Sequence, residues 1–354
     1  MKKYSFLIVL CVLVLGIAQG SEAATRTELA AIQVERAGDF RYWMPGSPVK
    51  AKLVEYVEAV TDPKSRDFIP PADRVAVFDA DGTLMCETAP SYFDALMYME
   101  RVLDDTSWQA PAELRAAAQE TRSALLEHRE ARLGEEEGEA CQLNAFAGMS
   151  LTDYRAYVTK FMQEPEQGLS NLNRGEAFYL PMAEVISYLV HNGFKVYIVS
   201  ACDRMALRVL ADGVLPIEPE RIIGSDVWIR ASRQGEVSGV EYVYDKKDEL
   251  VRGKYLQEAI AMNKVSMIAR EIGRQPVLAF GNSGGDAGML NYTIQNNRYR
   301  SAAFVLLCDD MDREFGNLKK AQKMQARAEK NGWIPVSMKT EFKTIYGDKV
   351  RKVQ

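Results

Sequence analysis

Residues 75–84 read VAVFDADGTL, a short apolar run that stops abruptly at two carboxylates. An apolar run bounded by turn residues predicts a strand buried in a sheet. Because side chains alternate along a strand, Asp79 and Asp81 lie on one side of an extended backbone, where they can share a metal ion or a phosphate. Gly82 then lets the backbone approach a ligand closely. The stretch therefore predicts a strand that ends in the active site of an enzyme.

The composition is that of an ordinary globular protein. The chain has 354 residues, of which 47% are hydrophobic and 26% are charged, which suits one large domain or a core with a smaller inserted domain. Its formal net charge is −5, whereas sequence-independent binding of nucleic acid needs a basic face that displaces counterions. We therefore expect a small-molecule partner and no nucleic acid.

The N-terminus has the pattern of a secretory signal peptide, which we place at residues 1–23. Lysines precede an apolar run over residues 6–17, and small residues then allow cleavage after Gly20 or after Ala23. This pattern predicts a secreted or periplasmic protein, and an uncleaved anchor is the alternative. The run is shorter than the roughly 20 apolar residues of a membrane helix, and no later stretch approaches that length. We expect no integral membrane segment after cleavage.

Four cysteines remain after removal of the signal peptide, namely Cys86, Cys141, Cys202 and Cys308. An even number in an oxidising compartment is compatible with one or two disulfides. Cys86 and Cys202 each follow a predicted strand closely, so a bridge between them is one option. Buried free thiols are the other.

The rest of the chain divides into a leader, a core and an insertion. Residues 24–71 form the leader, which we expect to pack on the core and which holds a predicted helix over 49–60. Residues 72–88 and 179–354 form the predicted core. Residues 89–178 are rich in Ala, Glu, Leu and Arg, have helical periodicity and show almost no strand signal. We interpret this insertion as a helical cap domain.

Strands and helices alternate along the core. The patterns predict helices over 182–191, 204–211, 264–272 and 317–330, strands over 195–199, 221–223, 276–280 and 304–307, and a hairpin over 227–244. This order indicates an α/β fold, a Rossmann-like mostly parallel sheet with helices on both faces. Ligands of such sheets bind beyond the carboxyl ends of the strands. Those ends carry Asp79 and Asp81, then Ser200, then Asn282 and Asp286, and should converge on one crevice.

Together these residues resemble a known family. The run Asp79-x-Asp81-Gly82-Thr83, Ser200 after an apolar strand, Lys264, and GNSGGD at residues 281–286 have the order and spacing of the haloacid dehalogenase superfamily of phosphotransferases. The chain is similar to its phosphoserine-phosphatase-like branch, in which a cap follows the first motif. From about residue 42 to residue 346 it also resembles secreted bacterial members of this superfamily.

The resemblance implies a Mg²⁺-dependent phosphatase that hydrolyses a small phosphate monoester. Asp79 would attack phosphorus to form an aspartyl-phosphate, and Asp81 would protonate the leaving alkoxide and later activate water. Thr83 and Ser200 would donate hydrogen bonds to phosphoryl oxygens, and Lys264 would offset the charge on the phosphoryl group and on Asp79. Lys254 is the alternative to Lys264, since it also lies upstream of the last motif.

The implied magnesium ligands are Asp79, the backbone carbonyl of Asp81, Asp286 and the side chain at position 282. Many relatives place an acidic residue where this chain has Asn282, and a neutral amide binds a hard cation more weakly than a carboxylate. We therefore expect a working but weaker Mg²⁺ site. For Glu87, two interpretations stay open: by the resemblance its distance from Asp81 suggests a contact with the substrate, and an exposed surface position is the alternative.

Two other functions fit parts of the pattern. A dehalogenase or phosphonate-cleaving relative would share Asp79 but has no need of an acid at position 81, so Asp81 speaks against it. The other alternative is a protein of the same fold that binds phosphate or a phosphoester and has weak or no catalytic activity. Asn282 is the residue that suggests it.

Overall fold

The computed structural model describes residues 23–353, so nearly all of the predicted signal peptide lies outside the described residues. A seven-stranded sheet in the order β5-β4-β3-β1-β6-β7-β8 forms the centre of the fold, and a two-stranded sheet pairs β2 with β9. The strands in chain order are β1 Val75–Phe78, β2 Leu169–Ser170, β3 Lys195–Asp203, β4 Ile222–Ala231, β5 Leu250–Gln257, β6 Leu278–Gly281, β7 Ala302–Leu307, β8 Ile334–Ser337 and β9 Arg351–Lys352.

Neighbouring strands of the large sheet are parallel except β4 and β5, which pair antiparallel. The α-helices are α1 Arg26–Ala30, α2 Pro48–Thr61, α3 Phe93–Met99, α4 Ala112–Leu126, α5 Glu135–Asn144, α6 Leu151–Phe161, α7 Leu180–His191, α8 Arg204–Ala211, α9 Ala261–Met267, α10 Ala287–Ile294, α11 Leu318–Asn331 and α12 Met338–Glu341. The α/β fold class with a mostly parallel sheet is confirmed.

β1 is buried on both faces because its side chains alternate between two apolar clusters. Ala76 and Phe78 belong to the larger cluster, whereas Val75 and Val77 belong to the smaller one on the opposite face. Phe78 stacks on Phe280 at 4.3 Å between ring centroids, and Phe280 stacks on Phe304 at 4.8 Å. The three rings hold β1, β6 and β7 in register directly beneath the strand tips.

The segment between β1 and α7 contains four α-helices, α3 to α6, in agreement with its helical periodicity. The division of the chain into leader, core and cap stays a prediction. The leader contacts the rest of the fold, since Trp43 Nε1 donates to the carbonyl of Pro181 at 3.0 Å. Within residues 23–353, no helix combines the length and the apolar character needed to cross a bilayer.

Two expectations about strands were wrong. The hairpin predicted over 227–244 has its first strand there, but its second strand is β5, so residues 232–249 form a long connection. β8, which pairs with β7, was not predicted, and neither was the small β2–β9 sheet. All four described cysteines are free thiols, and three of them are buried, which favours the thiol alternative over a Cys86–Cys202 bridge.

Candidate active site

A cleft of about 930 Å³ opens beyond the carboxyl ends of β1, β3 and β6. It gathers most of the side chains that the sequence singles out, although they are far apart in the chain. Those that line it are Asp79, Asp81, Ser200, Lys264, Asn282 and Asp286. Because β1 lies between β3 and β6, the two carboxylates after β1 occupy the centre, with Ser200 in the second half of β3 and Asn282 directly after β6.

Lys264 joins the carboxylates at the base of the cleft. Its Nζ lies 2.7 Å from Asp79 Oδ1 and 2.6 Å from Asp286 Oδ1, and its side chain is 2% exposed. Burial alone would lower the pKa of Lys264, but the two carboxylates outweigh it and raise that pKa above its usual range. The lysine therefore stays charged at physiological pH.

Asp286 is the more firmly ionised of the two carboxylates. Its Oδ2 accepts hydrogen bonds from the backbone N–H groups of Asn282 at 3.0 Å and Ser283 at 2.9 Å. Burial opposes ionisation, but Lys264 and these hydrogen bonds outweigh it and lower the pKa of Asp286. Gly281 makes this close approach feasible, because a Cβ there would lie 2.6 Å from Asp286 Cβ.

Asp79 and Asp81 differ in their readiness to ionise. Burial and the charge of Asp286 raise the pKa of Asp79 to about 6, against the opposing effect of Lys264. Burial and the charges of Asp94, Asp79 and Glu87 raise the pKa of Asp81 well above its usual value. Asp81 Oδ1 is buried without a hydrogen-bond partner in residues 23–353. Asp79 is thus an anion above pH 6, and the pKa of Asp81 is shifted in the direction that favours its protonated form, which is the division of roles that acid catalysis needs.

The two hydroxyl residues differ in position. Ser200 lines the cleft, and its Oγ accepts the backbone N–H of Cys202 at 3.3 Å, which leaves the hydroxyl hydrogen free to donate. Thr83 is fully buried and is not among the cleft-lining residues. Its N–H closes a turn on the carbonyl of Ala80 at 3.1 Å, and its Oγ1 is buried without a hydrogen-bond partner in residues 23–353. Phosphate binding by Thr83 therefore stays a prediction.

Sequence reasoning missed one wall of the cleft. Tyr92 and Asp94 reach it from the start of α3, Glu139 from α5 and Lys320 from α11. Asp94 Oδ2 accepts the N–H of Asp203 at 2.6 Å, and burial together with the charge of Asp203 raises the pKa of Asp94 to about 7. The sequence pattern does not distinguish an aspartate or glutamate that lines the cleft from one that faces solvent, because polar residues are expected on any solvated face of an amphipathic helix.

The donor set of the cleft suits a hard divalent cation. Eight carboxyl groups and only three lysines line it, and the raised pKa values of Asp79 and Asp81 reflect this excess of acid. Within residues 23–353, no group of three or more Asp, Glu, His or Cys side chains is arranged to hold a metal by itself. Two carboxylates, an amide and a backbone carbonyl are nonetheless oxygen donors of the kind that Mg²⁺ prefers.

A cleft beyond the strand tips of a doubly wound, mostly parallel sheet defines a class of α/β proteins that bind their ligands at that edge. A family model described as haloacid dehalogenase-like hydrolase matches residues 76–291, which is more than half of the chain. The chain belongs to this family.

Comparison with solved structures finds similar chains at low sequence identity. A conserved protein of unknown function from Anaerococcus prevotii DSM 20548 is 13% identical with a TM-score of 0.52, over 84% of this chain and 93% of that one. Cytosolic 5'-nucleotidase IIIB bound to cytidine is 12% identical with a TM-score of 0.47, over 82% and 86%. A phosphoserine phosphohydrolase-like protein from Francisella tularensis subsp. tularensis SCHU S4 is 15% identical with a TM-score of 0.36, over 66% and 87%. These likenesses concern the fold alone. The comparison with curated proteins finds no match.

Proposed function

We propose that the protein is a Mg²⁺-dependent phosphatase that hydrolyses a small phosphate monoester through an aspartyl-phosphate. The observation that carries this proposal is the shared ion pair of Lys264 with Asp79 and Asp286 in the cleft that Asp81 also lines. Unaided hydrolysis of phosphate monoesters is among the slowest of reactions, so a site of this kind must work through a nucleophile and concentrated charge.

Asp79 attacks the phosphorus atom, and the bond from phosphorus to the ester oxygen breaks as the bond to the Asp79 carboxylate forms. Asp81 gives its proton to the departing alkoxide and becomes the base that removes a proton from the water that hydrolyses the acyl phosphate. Lys264 offsets the negative charge that accumulates on the phosphoryl oxygens, and Ser200 donates a hydrogen bond to one of them.

Four groups would hold magnesium: the carboxylates of Asp79 and Asp286, the backbone carbonyl of Asp81 and the side-chain oxygen of Asn282. When bound, the cation supplies charge neutralisation and orients the phosphoryl group. With only two carboxylates among these groups, affinity for Mg²⁺ is expected to be lower than in relatives with an acid at position 282.

Residues 89–178 are proposed to act as a cap that selects the leaving group. Tyr92, Asp94 and Glu139 come from this segment and line the cleft together with the strand tips. A lid of this kind excludes water and delivers specificity. Secretion or export to the periplasm is proposed on the signal-peptide pattern of residues 1–23.

A phosphate-binding protein with weak or no turnover is the second candidate, because Asn282 removes one carboxylate from the cation site. The dehalogenase alternative is disfavoured by the acid at position 81, which has no task in that chemistry.

The test is hydrolysis of a generic aryl phosphate and of a phosphoester library by the purified protein, with and without Mg²⁺. We expect Mg²⁺-dependent phosphate release, and a loss of about 10⁴-fold or more in Asp79→Asn. Tight Mg²⁺-dependent phosphate binding without turnover on any ester would favour the second candidate. Substantial activity in Asp79→Asn would overturn the assignment of the nucleophile.

A further inference from the structure

Glu87 links three parts of the fold at the edge of the cleft. Its side chain is 7% exposed. Its Oε2 accepts a hydrogen bond from Asn282 Nδ2 at 3.2 Å, and both carboxylate oxygens accept from Lys320 Nζ, at 2.6 and 2.8 Å. Tyr92, from the insertion, donates its hydroxyl to Glu87 Oε1 at 3.1 Å. A buried carboxylate with this many donors is held in one orientation.

The contact between Glu87 and Asn282 decides which way the amide points. A carboxylate accepts hydrogen bonds and does not donate them, and Glu87 forms an ion pair with Lys320. Asn282 must therefore present its NH₂ group to Glu87 and turn its carbonyl oxygen the other way. In residues 23–353 no hydrogen bond is made to Asn282 Oδ1, although the residue is 4% exposed and lines the cleft.

Gly82 confines the same end of the amide. A Cβ on Gly82 would lie 1.8 Å from Asn282 Nδ2 and 2.9 Å from Glu87 Oε2, so the NH₂ group packs directly on the backbone of the turn that carries Asp81, beside its hydrogen bond to Glu87. The absence of a side chain at Gly82 leaves room for this contact. The carboxylate and the glycine backbone thus both fix the NH₂ end of Asn282.

We propose that Glu87 is a positioning residue that acts through Asn282, fixing the amide so that Oδ1 is the atom offered to the magnesium ion. This inference rests on the proposed function. Hydrogen bonds from outer groups orient metal ligands and strengthen them as donors. The negative charge of Glu87 polarises the amide and increases the electron density on its oxygen. Relatives with an acid at position 282 place a carboxylate on the cation itself, whereas in this chain the carboxylate of Glu87 bonds the Asn282 amide that would ligate the cation.

The test is the dissociation constant of Mg²⁺ for the full chain without substrate, measured by calorimetry. Glu87→Gln should raise this dissociation constant by about 10- to 100-fold. The introduced amide has a single acceptor oxygen, which can bond Lys320 or Asn282, so it can no longer hold both side chains in place. The matched control is Glu329→Gln, the same substitution on the exposed surface of α11, which should leave the constant unchanged.

A double variant separates positioning from a merely structural role. In Glu87→Gln combined with Asn282→Asp, the hydrogen bond reverses: the amide at 87 donates and the carboxylate at 282 accepts, while its second oxygen remains for the cation. Because a carboxylate at 282 strengthens Mg²⁺ binding by itself, rescue is judged against Asn282→Asp alone, and the double variant should bind Mg²⁺ at least as tightly as that single variant. If Glu87 only held the fold together, Glu87→Gln would weaken Mg²⁺ binding by the same factor in the Asn282→Asp background as in the wild type.

The outcomes are distinguishable from failure of the proposed function. Wild-type affinity in Glu87→Gln, or no rescue in the double variant, overturns the role of Glu87 while phosphatase activity of the wild type still stands. A wild-type protein that neither binds Mg²⁺ nor releases phosphate overturns both. Thermal unfolding checks that each variant folds, and if Glu87→Gln alone does not fold, the double variant decides the question.

Discussion

Asp203 and Arg252 form an ion pair in the interior, where Arg252 Nη1 lies 3.3 Å from Asp203 Oδ1. The guanidinium carbon also sits 3.8 Å from the ring centroid of Tyr154 on α6. The pair connects the end of β3, the strand β5 and the insertion. The backbone N–H of Asp203 donates to Asp94 in the cleft wall at 2.6 Å, so this pair also supports the proposed cap side of the site.

Arg252→Met should destabilise the protein by about 3–5 kcal/mol, because it leaves the carboxylate of Asp203 buried without its counter-ion. Chemical denaturation measures this difference. The comparison is Arg155→Met, which breaks an exposed pair with Asp212 and should cost less than about 1 kcal/mol. Equal losses in the two variants would contradict the buried pair's importance.

The rate of phosphate release should have a bell-shaped dependence on pH. Catalysis requires Asp79 ionised, so kcat/KM rises with pH up to about 6, the pKa that burial and the charge of Asp286 impose on that carboxyl. A bound cation would move this limb to lower pH. Asp81 must carry its proton, and its raised pKa sets an alkaline limb. Asp81→Asn should abolish that limb along with most of the activity, as a pH–rate profile would show.

Lys264→Met should lower kcat/KM by about 10²–10³-fold and move the acid limb to higher pH. The direction follows because the lysine lowers the pKa of Asp79, and its removal leaves Asp79 and Asp286 repelling each other. Lys254→Met is the matched control, since Lys254 is exposed on β5. An unshifted limb in Lys264→Met, or a similar loss in Lys254→Met, would show that the wrong lysine has been assigned.

Glu166 should make stability depend on pH. Burial raises its pKa from 4.5 to about 7, against the attraction of Arg174. Between these values the folded state binds more protons than the unfolded state, so the free energy of unfolding falls as pH rises through that window. The fall attributable to this group is on the order of 2–3 kcal/mol. Denaturation from pH 4.5 to 8 should show a flatter profile in Glu166→Gln than in the wild type or in Glu329→Gln.

The sequence predicts the strand tips better than the sheet edges. Val75–Phe78 is confirmed because four consecutive apolar residues that end at a pair of acids are typical of a strand buried on both faces. The misplaced hairpin strand has a physical cause: Val237, Val240 and Val243 are β-branched, but they recur every third residue rather than every second, and Val240 is 95% exposed. Without one face to bury, β propensity alone forms no strand.

The site was predictable as far as it lies at strand ends. Lys264 and Asp286 come together as expected, whereas Lys320 sits in a helix with several other lysines and looks like ordinary surface charge. Glu87 could equally have been exposed, and only the fold shows that Asn282 and Lys320 surround it. Long-range partners of this type depend on topology, which periodicity does not encode.

The Lys264–Asp79 ion pair spans 185 residues of sequence, and this has a consequence for biosynthesis. A nascent chain exposes the aspartate long before the ribosome has made its counter-ion, so β1 cannot be buried at low cost until translation reaches α9. Fragments that stop before Lys264 should therefore remain open and protease-sensitive, although they already contain about three quarters of the chain.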